Sequence, residues 1–458
     1  ILIHKGYNVT VINLVKAPST ELAKEYFFAL SDKVKIITGY KNSENTENSE
    51  KNYMTDIQDS VISSDILVDG VFGTGFHGHL EKELAEIFLI STDAYKMAVD
   101  IPSGGDSSNG TVSSGCFRAD ETLCLGCLKF GMTQYPLKKM CGKITVADIG
   151  LPHTAYDILK GEHGYYIIEP ESLSDFPPVR EPDSNKGTFG TVLIISGSSS
   201  MRGAAAFAAL GALKSGAGLV KIASVRKCID TVSVLVPEAV YLELESDEQG
   251  FMRLGNSRDT LIQAMNKADS IVIGSGIGVT ENTSEIVRFV LANADIPVIL
   301  DADGINCIAE DMEMLAERKS DVIITPHPGE MARLLNCSAK MINENRIISA
   351  EQYAEKFGIT VVLKGAGTIV ADRFNTSANY TGNAGMSRGG SGDILSGIIG
   401  SIAAQGFSPY DAACAGVYVH GLAGDAAAEK YGHETMLPRD VINCLTNAFR
   451  IHKNKQKK

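Results

Sequence analysis

Short runs of aliphatic and β-branched residues, most of them meeting a glycine- or aspartate-bearing turn, recur along this 458-residue chain. VTVINLV (9–15), VKIITG (34–39), DILVDGVFG (65–73), KMAVDIPSG (96–104), ADETLCLG (119–126) and GKITVADIG (142–150) form a first series. GTVLIISGSSS (190–200), LVKIAS (219–224), SIVIGSG (270–276), IPVILDADG (296–304), DVIITPHPG (321–329), TVVLKGAG (360–367) and TIVAD (368–372) form a second. Stretches with helical spacing lie between them, such as EKELAEIFLI (81–90), and 393–450 is mostly helical in pattern. Strands that are apolar on both faces must be covered on both, so the pattern predicts parallel sheets flanked by helices: an α/β fold. KNSENTENSEKN (41–52) reads as a polar loop.

The length predicts two or three domains. Between the two series the chain turns rich in proline and acidic residues (HGYYIIEPESLSDFPPVREPDSNKG), as a linker or an edge strand plus linker would. The expected division is 1–160, 161–452 and a basic tail, KNKQKK, at 453–458. The opening ILIHKGY reads as the last turn of a helix capped by Gly6, ahead of a strand. A domain rarely begins there, so one strand and most of a helix are expected upstream of Ile1.

Charge and cysteine content narrow the classes. A net charge of −13, from 42 Lys+Arg against 55 Asp+Glu, argues against a general nucleic-acid or acidic-membrane binder. The nine cysteines are scattered, as reduced thiols would be. Cys116, Cys124, Cys127 and Cys141 invite a zinc reading, but Cys124 and Cys127 lie in a strand-like run rather than a knuckle. No apolar run reaches the ~18–20 residues of a membrane span, and no signal peptide is visible; a cytoplasmic location is expected.

The strongest chemical signal is NAGMSRGGSGDILSGIIGSIAAQG (383–406), a glycine-rich loop that runs into a helix. Such a loop lets backbone approach a ligand closely, and N–H groups at a helix start suit a phosphate. Asp393 falls at that helix start, as a proton acceptor kept ionised by the dipole or simply as a cap. TPHPGEMARL (325–334) stiffens the backbone around His327, or forms a rigid turn with Glu330 in the first helical turn. VLKGAGTIV (362–370) offers Lys364 and Thr368 to phosphate, or is a hairpin. VIGSGIG (272–278) is a weak dinucleotide signal. Asp301 and Asp303 could hold magnesium or satisfy a loop. GALKSGAG (211–218) is not a phosphate-binding loop of the G-x-x-x-x-G-K-[ST] kind.

GGSGD followed by a small-residue helix resembles the ribokinase-like superfamily. With PHPGE and LKGAGT in order, 185–439 is similar to the ADP/ATP-dependent NAD(P)H-hydrate dehydratases. DGVFGTGFHG (69–78), VDIPSGGDSSNG (99–110), ADETLCLGCLKFGM (119–132) and GKITVADIGLP (142–152) resemble the NAD(P)H-hydrate epimerases. Fused in this order, the chain resembles the bifunctional NAD(P)H-hydrate repair enzyme family.

That resemblance implies a Rossmann-like epimerase domain and a ribokinase-like α/β/α dehydratase domain. It implies Asp393 as the base on the substrate hydroxyl and a hydrate pocket lined by Gly278, His327, Pro328, Gly329, Glu330, Met331, Ala332 and Arg333. Nucleotide (ADP or ATP, with Mg²⁺) would be held by Lys364, Gly365, Ala366, Gly367 and Thr368. It would also meet Asn383, Ala384, Gly385, Met386, Ser387, Arg388, Gly389, Gly390, Ser391 and Gly392. In the first domain, Gly73, Thr74, Gly75, Phe76, His77, Gly78 and His79 would form the substrate loop, with Asp100 as the substrate-contacting acid. Asp69 and Ser103 match positions that bind K⁺; without the family match, buried or capping carboxylates at strand ends are an equally good reading of these acids. The family's asparagine- and glycine-rich loop after its first strand is not in this sequence, which leaves the expected epimerase site incomplete. The expected partners are small molecules and further copies of the chain. Apolar helix faces such as 411–424 fit a subunit interface or a core equally well. Two other readings stay open: a vitamin-type kinase that keeps its phosphorylated product, and a nucleotide-binding sensor without turnover.

Overall fold

The computed structural model describes residues 2–14, 21–31, 34–38, 47–152, 163–173 and 175–456. They fall into two compact units, Ile1–Tyr156 and Asp157–Lys458.

In the first unit β1 (Thr10–Asn13) pairs in parallel with β2 (Lys35–Thr38). A separate parallel sheet runs β3 (Ile66–Asp69), β4 (Tyr95–Val99), β5 (Glu121–Leu125) and β6 (Lys143–Ala147) in that order. Ile37, Ile57, Val61 and Ile87 form a core cluster to which β1 adds Ile12 and β3 adds Leu67. Ahead of β1, Gly6 closes the turn Ile3–Lys5 at φ 86°, donating its N–H to the Ile3 carbonyl.

One expectation fails here. The stretch taken as a polar loop is helical from Glu47, within the helix Glu47–Ile62; residues 41–46 lie outside the described set. Ile57 and Val61, four residues apart and both buried, fix this helix to the core. Its first turns are polar because packing further along holds them in place.

The second unit is built on a ten-stranded sheet. Its strands are β7 (Gly164–Ile167), β8 (Thr191–Ile195), β9 (Leu219–Val225), β10 (Val240–Leu244) and β11 (Ser270–Ile273). They continue with β12 (Val298–Leu300), β13 (Val322–Ile324), β14 (Thr360–Leu363), β15 (Ile369–Ala371) and β16 (Asn375–Ala378). The spatial order is β10-β9-β8-β11-β12-β13-β14-β15-β16-β7. Pairing is parallel from β10 to β14, antiparallel through β15 to β16, and parallel again onto the edge strand β7. Strands β8, β11, β12 and β13 bury nearly every residue, as an apolar run covered on both faces requires.

Helix Ser391–Ala404 lies against β8, β11 and β12 and packs backbone to backbone on helix Arg202–Lys214. A Cβ on Gly211 would sit 2.5 Å from the Ile394 carbonyl oxygen, and one on Gly397 would sit 2.0 Å from that of Ala208. Helix Pro409–Tyr431 buries Ala412 through Gly424 inside the chain, so this apolar stretch belongs to the core.

Candidate active sites

In the second unit four parallel strands end at the same edge of the sheet. Each is followed by one of the sequence motifs, which is where ligands bind in such folds. β11 leads to Gly274–Gly278, β12 to Asp301–Asp303, β13 to Pro326–Glu330 and β14 to Lys364–Thr368. The motifs touch: Asp303 accepts from the Gly278 N–H at 2.8 Å, and the Lys364 N–H donates to the Pro326 carbonyl at 2.8 Å.

At the centre lies a buried ion pair. Asp301, 1% exposed, accepts Lys364 Nζ at 2.9 Å and the hydroxyls of Thr325 at 2.6 Å and Ser275 at 3.1 Å. Burial would raise this carboxyl, but Lys364 and the two hydroxyls outweigh it and hold it below its ordinary value. Lys364 also lies 4.0 Å from Glu330 Oε2. Its ammonium therefore serves the carboxylates, and the turn that follows it is what remains open to a phosphate. The oxygens of Asp301 are committed likewise, which favours the structural reading of that aspartate over magnesium binding.

Asp393 stands in the first turn of helix Ser391–Ala404, entered through Gly390 at φ 100°. A Cβ on the intervening Gly392 would lie 3.2 Å from Lys364 Nζ, so loop and ion pair meet. Burial first, and the negative Asp301 second, push Asp393 up to about 6. The helix dipole does not dominate as the sequence suggested. The group is nevertheless mostly ionised at neutral pH and poised to take a proton.

The loop is braced from behind. Asp425 accepts the Gly382 N–H and Asn383 Nδ2, both at 3.0 Å, while Asn383 Oδ1 caps the Gly385 N–H. Arg388 donates to the Glu434 carbonyl. His420 is buried with Nε2 3.5 Å from Ser391 Oγ. Burial and the Lys364 charge hold His420 down near about 4, so it is neutral. Asp425 and His420 share HGLAGD, a charged and a titratable residue inside an apolar helix, which was the available signal.

His327 caps its helix: Nδ1 accepts from Gly329 and Glu330 N–H groups at 2.9 and 3.2 Å, and Glu330 Oε2 accepts the His327 N–H at 2.7 Å. The rigid-turn reading thus holds, and it leaves the imidazole exposed at the site edge. Arg333 is exposed and donates to Asn306 Oδ1 at 2.8 Å. Met331 and Ala332 turn into the core at 0% and 6% exposure, so their side chains are not available to a pocket.

In the first unit Asp69, 4% exposed, accepts the Ser103 hydroxyl at 2.6 Å, the Ser103 N–H at 2.7 Å and the Val71 N–H at 3.2 Å. Burial raises this carboxyl despite all three bonds. Asp100 follows β4 at φ 70°, a strained conformation for a residue with a side chain. Its carboxylate is ion-paired with Lys129 and accepts the Leu125 N–H at 3.1 Å. Burial would lower Lys129, but the bond to Asp100 leads the effects that raise it, so the ammonium stays charged. A Cβ on Gly73 would lie 3.7 Å from Asp100 Oδ2, which places the start of the 73–79 loop over this pair. Thr74 and Gly75 are exposed, and His77 is tied back to Asp106 at 2.8 Å. Sequence reasoning passed over Lys129, although a lysine inside ETLCLGCLKFGM was visible. Among the described residues, no group of three histidines, cysteines or acids could hold a metal.

Residues 192–447 match the NAD(P)H-hydrate dehydratase family, and residues 1–131 match the family described as YjeF-related protein N-terminus. The bifunctional NAD(P)H-hydrate repair enzyme Nnr of Moorella thermoacetica is 34% identical over 395 residues, 85% of this chain and 74% of that one. The chain belongs to the bifunctional NAD(P)H-hydrate repair enzyme family. The Escherichia coli Nnr is 34% identical over 386 residues, covering 84% of this chain and 71% of its own. Among solved structures, the ADP/ATP-dependent NAD(P)H-hydrate dehydratase of Bacillus subtilis, co-crystallised with ATP/Mg²⁺, is 30% identical with a TM-score of 0.54. It covers 63% of this chain and 98% of its own. A ribokinase-like superfamily protein of Enterococcus faecalis is 26% identical with a TM-score of 0.55, covering 63% of this chain and 96% of its own. The repair-enzyme family accounts for both halves: a ribokinase-like second unit and, before it, parallel strands that carry the epimerase motifs.

Proposed function

We propose that this chain repairs hydrated NADH and NADPH, with a nucleotide-dependent dehydratase in the second unit and an epimerase in the first. The observation that carries the reading is Asp393, raised to about 6 at the mouth of an anion-binding helix start and beside the Asp301–Lys364 pair. Such a carboxylate takes a proton from a hydroxyl near neutral pH.

NAD(P)H hydrate carries a hydroxyl at C6 of its reduced nicotinamide ring, and hydroxide leaves poorly. Asp393 accepts the hydroxyl proton as that oxygen forms a bond to the terminal phosphorus of the nucleotide, and the bond to the nucleotide's bridging oxygen breaks. Loop 383–392 and the helix start oppose the charge developing on the phosphoryl group. The ring nitrogen's lone pair then expels phosphate from C6, and loss of a C5 proton restores the dihydropyridine. The donor is ADP in this reading, with AMP as product. Magnesium would arrive on the nucleotide's phosphates, where it supplies neutralising charge.

In the first unit the Asp100–Lys129 pair offers a base and an acid for a hydroxyl that leaves one face of C6 and returns to the other. The 73–79 loop would hold the substrate. Asp69, buried and with no cationic side chain against it among the described residues, fits a potassium ion together with Ser103. Such an ion would supply the missing positive charge. A cytoplasmic homo-oligomer is the expected state; no helix among the described residues is long and apolar enough to cross a membrane.

The test is absorbance at 340 nm after the protein is added to purified NADH hydrate with Mg²⁺ and either ADP or ATP. Prompt recovery that is absent in Asp393→Asn establishes the dehydratase and names its donor. A plateau once the S epimer is consumed shows a first unit that does not epimerise. No recovery with either nucleotide refutes hydrate repair.

A further inference from the structure

Arg346 opens the helix Arg346–Phe357 and is 9% exposed. Its guanidinium faces the inner side of the turn between β14 and β15. Nη2 donates to the Leu363 carbonyl at 3.0 Å and to the Lys364 and Gly367 carbonyls at 3.4 Å; Nη1 also reaches Lys364 at 3.4 Å. A Cβ on Gly365 would come within 2.8 Å of Nη1, so the guanidinium closes that side of the turn. Nε is buried and has no partner among the described residues. Among the described residues no carboxylate pairs with it; burial brings the group down to about 10, which leaves it cationic at neutral pH. A buried cation without an anion is unfavourable in the free protein, and it is the arrangement an anionic ligand would relieve.

The geometry of the turn adds a second argument. A trans peptide points its carbonyl and the following N–H in opposite directions. With the carbonyl of Lys364 drawn to Arg346, the N–H group of Gly365 faces away from it. The Gly365 carbonyl is taken by the Thr368 hydroxyl at 3.0 Å, and the Thr368 carbonyl by the Asn379 N–H at 2.8 Å. The Thr368 N–H turns back toward the same Gly365 carbonyl, and no acceptor is found for the amides of residues 365–367 among the described residues. The turn's acceptors are thus gathered on one side and its donors left on the other.

We propose that Arg346 is a positioning residue for the phosphates of the nucleotide. It leaves the N–H groups of residues 365–367 free to meet them and adds an uncompensated positive charge behind the turn. This rests on the reading that 364–368 hold nucleotide. Arg346 itself does not touch the ligand.

The test is equilibrium binding of ATP, ADP, AMP and adenosine to the full chain, with the ligand-free melting temperature measured alongside. Arg346→Gln is expected to weaken ATP and ADP about tenfold, AMP less, and adenosine not at all. Arg346→Lys, which keeps the charge but not the fork, falls between it and the wild type, and carries the test if the glutamine variant does not fold. An equal loss across all four ligands, or no loss for ADP, overturns the proposal and leaves Arg346 a structural group. Ala366→Glu, at the exposed tip of the turn, separates the two claims. If it binds ADP as the wild type does, the turn does not hold nucleotide and both claims fall.

Discussion

Asp393 is a residue at which stability and reactivity pull apart. Its carboxyl titrates above the ordinary value in the folded chain, at about 6. The ionised form therefore weakens the native state in full above that pH, and the penalty shrinks as pH falls below about 6 and is gone only near the ordinary carboxyl value of 3.8. Asp393→Asn is expected to raise the melting temperature at pH 8 by roughly 2–4 °C while abolishing hydrate-dependent recovery of absorbance. A melting temperature that falls would show that the ionised carboxylate is a stabilising group. The same titration predicts that kcat/KM for dehydration declines below pH of about 6 as the base is protonated; a profile flat down to pH ~5 would remove Asp393 from that role. At this scale the sequence was only partly readable. GGSGD announces an acid at a helix start, but its proton affinity is set first by burial and then by Asp301, far away in the chain. Arg346 and Lys129 were missed for a related reason. An arginine at the start of a helix, or a lysine after a strand, reads as a solvated charge until the fold shows what covers it.

Among the elements, the helix Ser391–Ala404 does most to place the chemistry. It is pinned at Gly397 and Gly400, where a Cβ would meet the Ala208 carbonyl oxygen at 2.0 Å and Val272 Cγ2 at 2.3 Å. Gly397→Leu is expected to lower stability by about 1–3 kcal/mol or more and to weaken ADP binding with it, because the helix start moves when its flank is pushed out. Gly203→Ala, in a helix with open space around the position, is the control and should be neutral or slightly stabilising. Thermal melts and nucleotide titration of the two variants check both; equal behaviour would show that close packing is not what fixes the helix. Elements that bury all their residues, such as VLII of β8, were legible as apolar runs. The ones that escaped carry mixed patterns. β10 (VYLEL) keeps two exposed residues, and β16 (NTSA) is largely polar though mostly buried. Neither the alternation rule nor the apolar-run rule catches a polar strand whose hydroxyls are bonded inside.

The whole molecule consists of two units, each with its own core. Calorimetry of the full chain is expected to show two transitions, and saturating ADP should raise only the one belonging to the second unit. At a hundredfold excess over Kd the gain is about 2.7 kcal/mol. A single transition that moves as a whole with ADP would mean that the units unfold together. The proline-rich, acidic stretch 163–187 does not separate the units: it lies within the second one and gives its sheet the edge strand β7, so a change in composition here marks an edge strand and its connection. That the first unit's described strands form two sheets could not be read from strand runs alone, since pairing is a property of neighbours in space. The parallel sheet of the second unit also governs how the protein comes into being. Asp301 and Lys364 are separated by 63 positions, and Thr191 of β8 bonds Asp269, just ahead of β11, across 78. No local fragment contains the sheet edge at which these motifs gather. A refolding chain should therefore regain its helical signal well before it can recognise nucleotide, and ligand recognition reports the last stage of assembly, when distant strands have found one another.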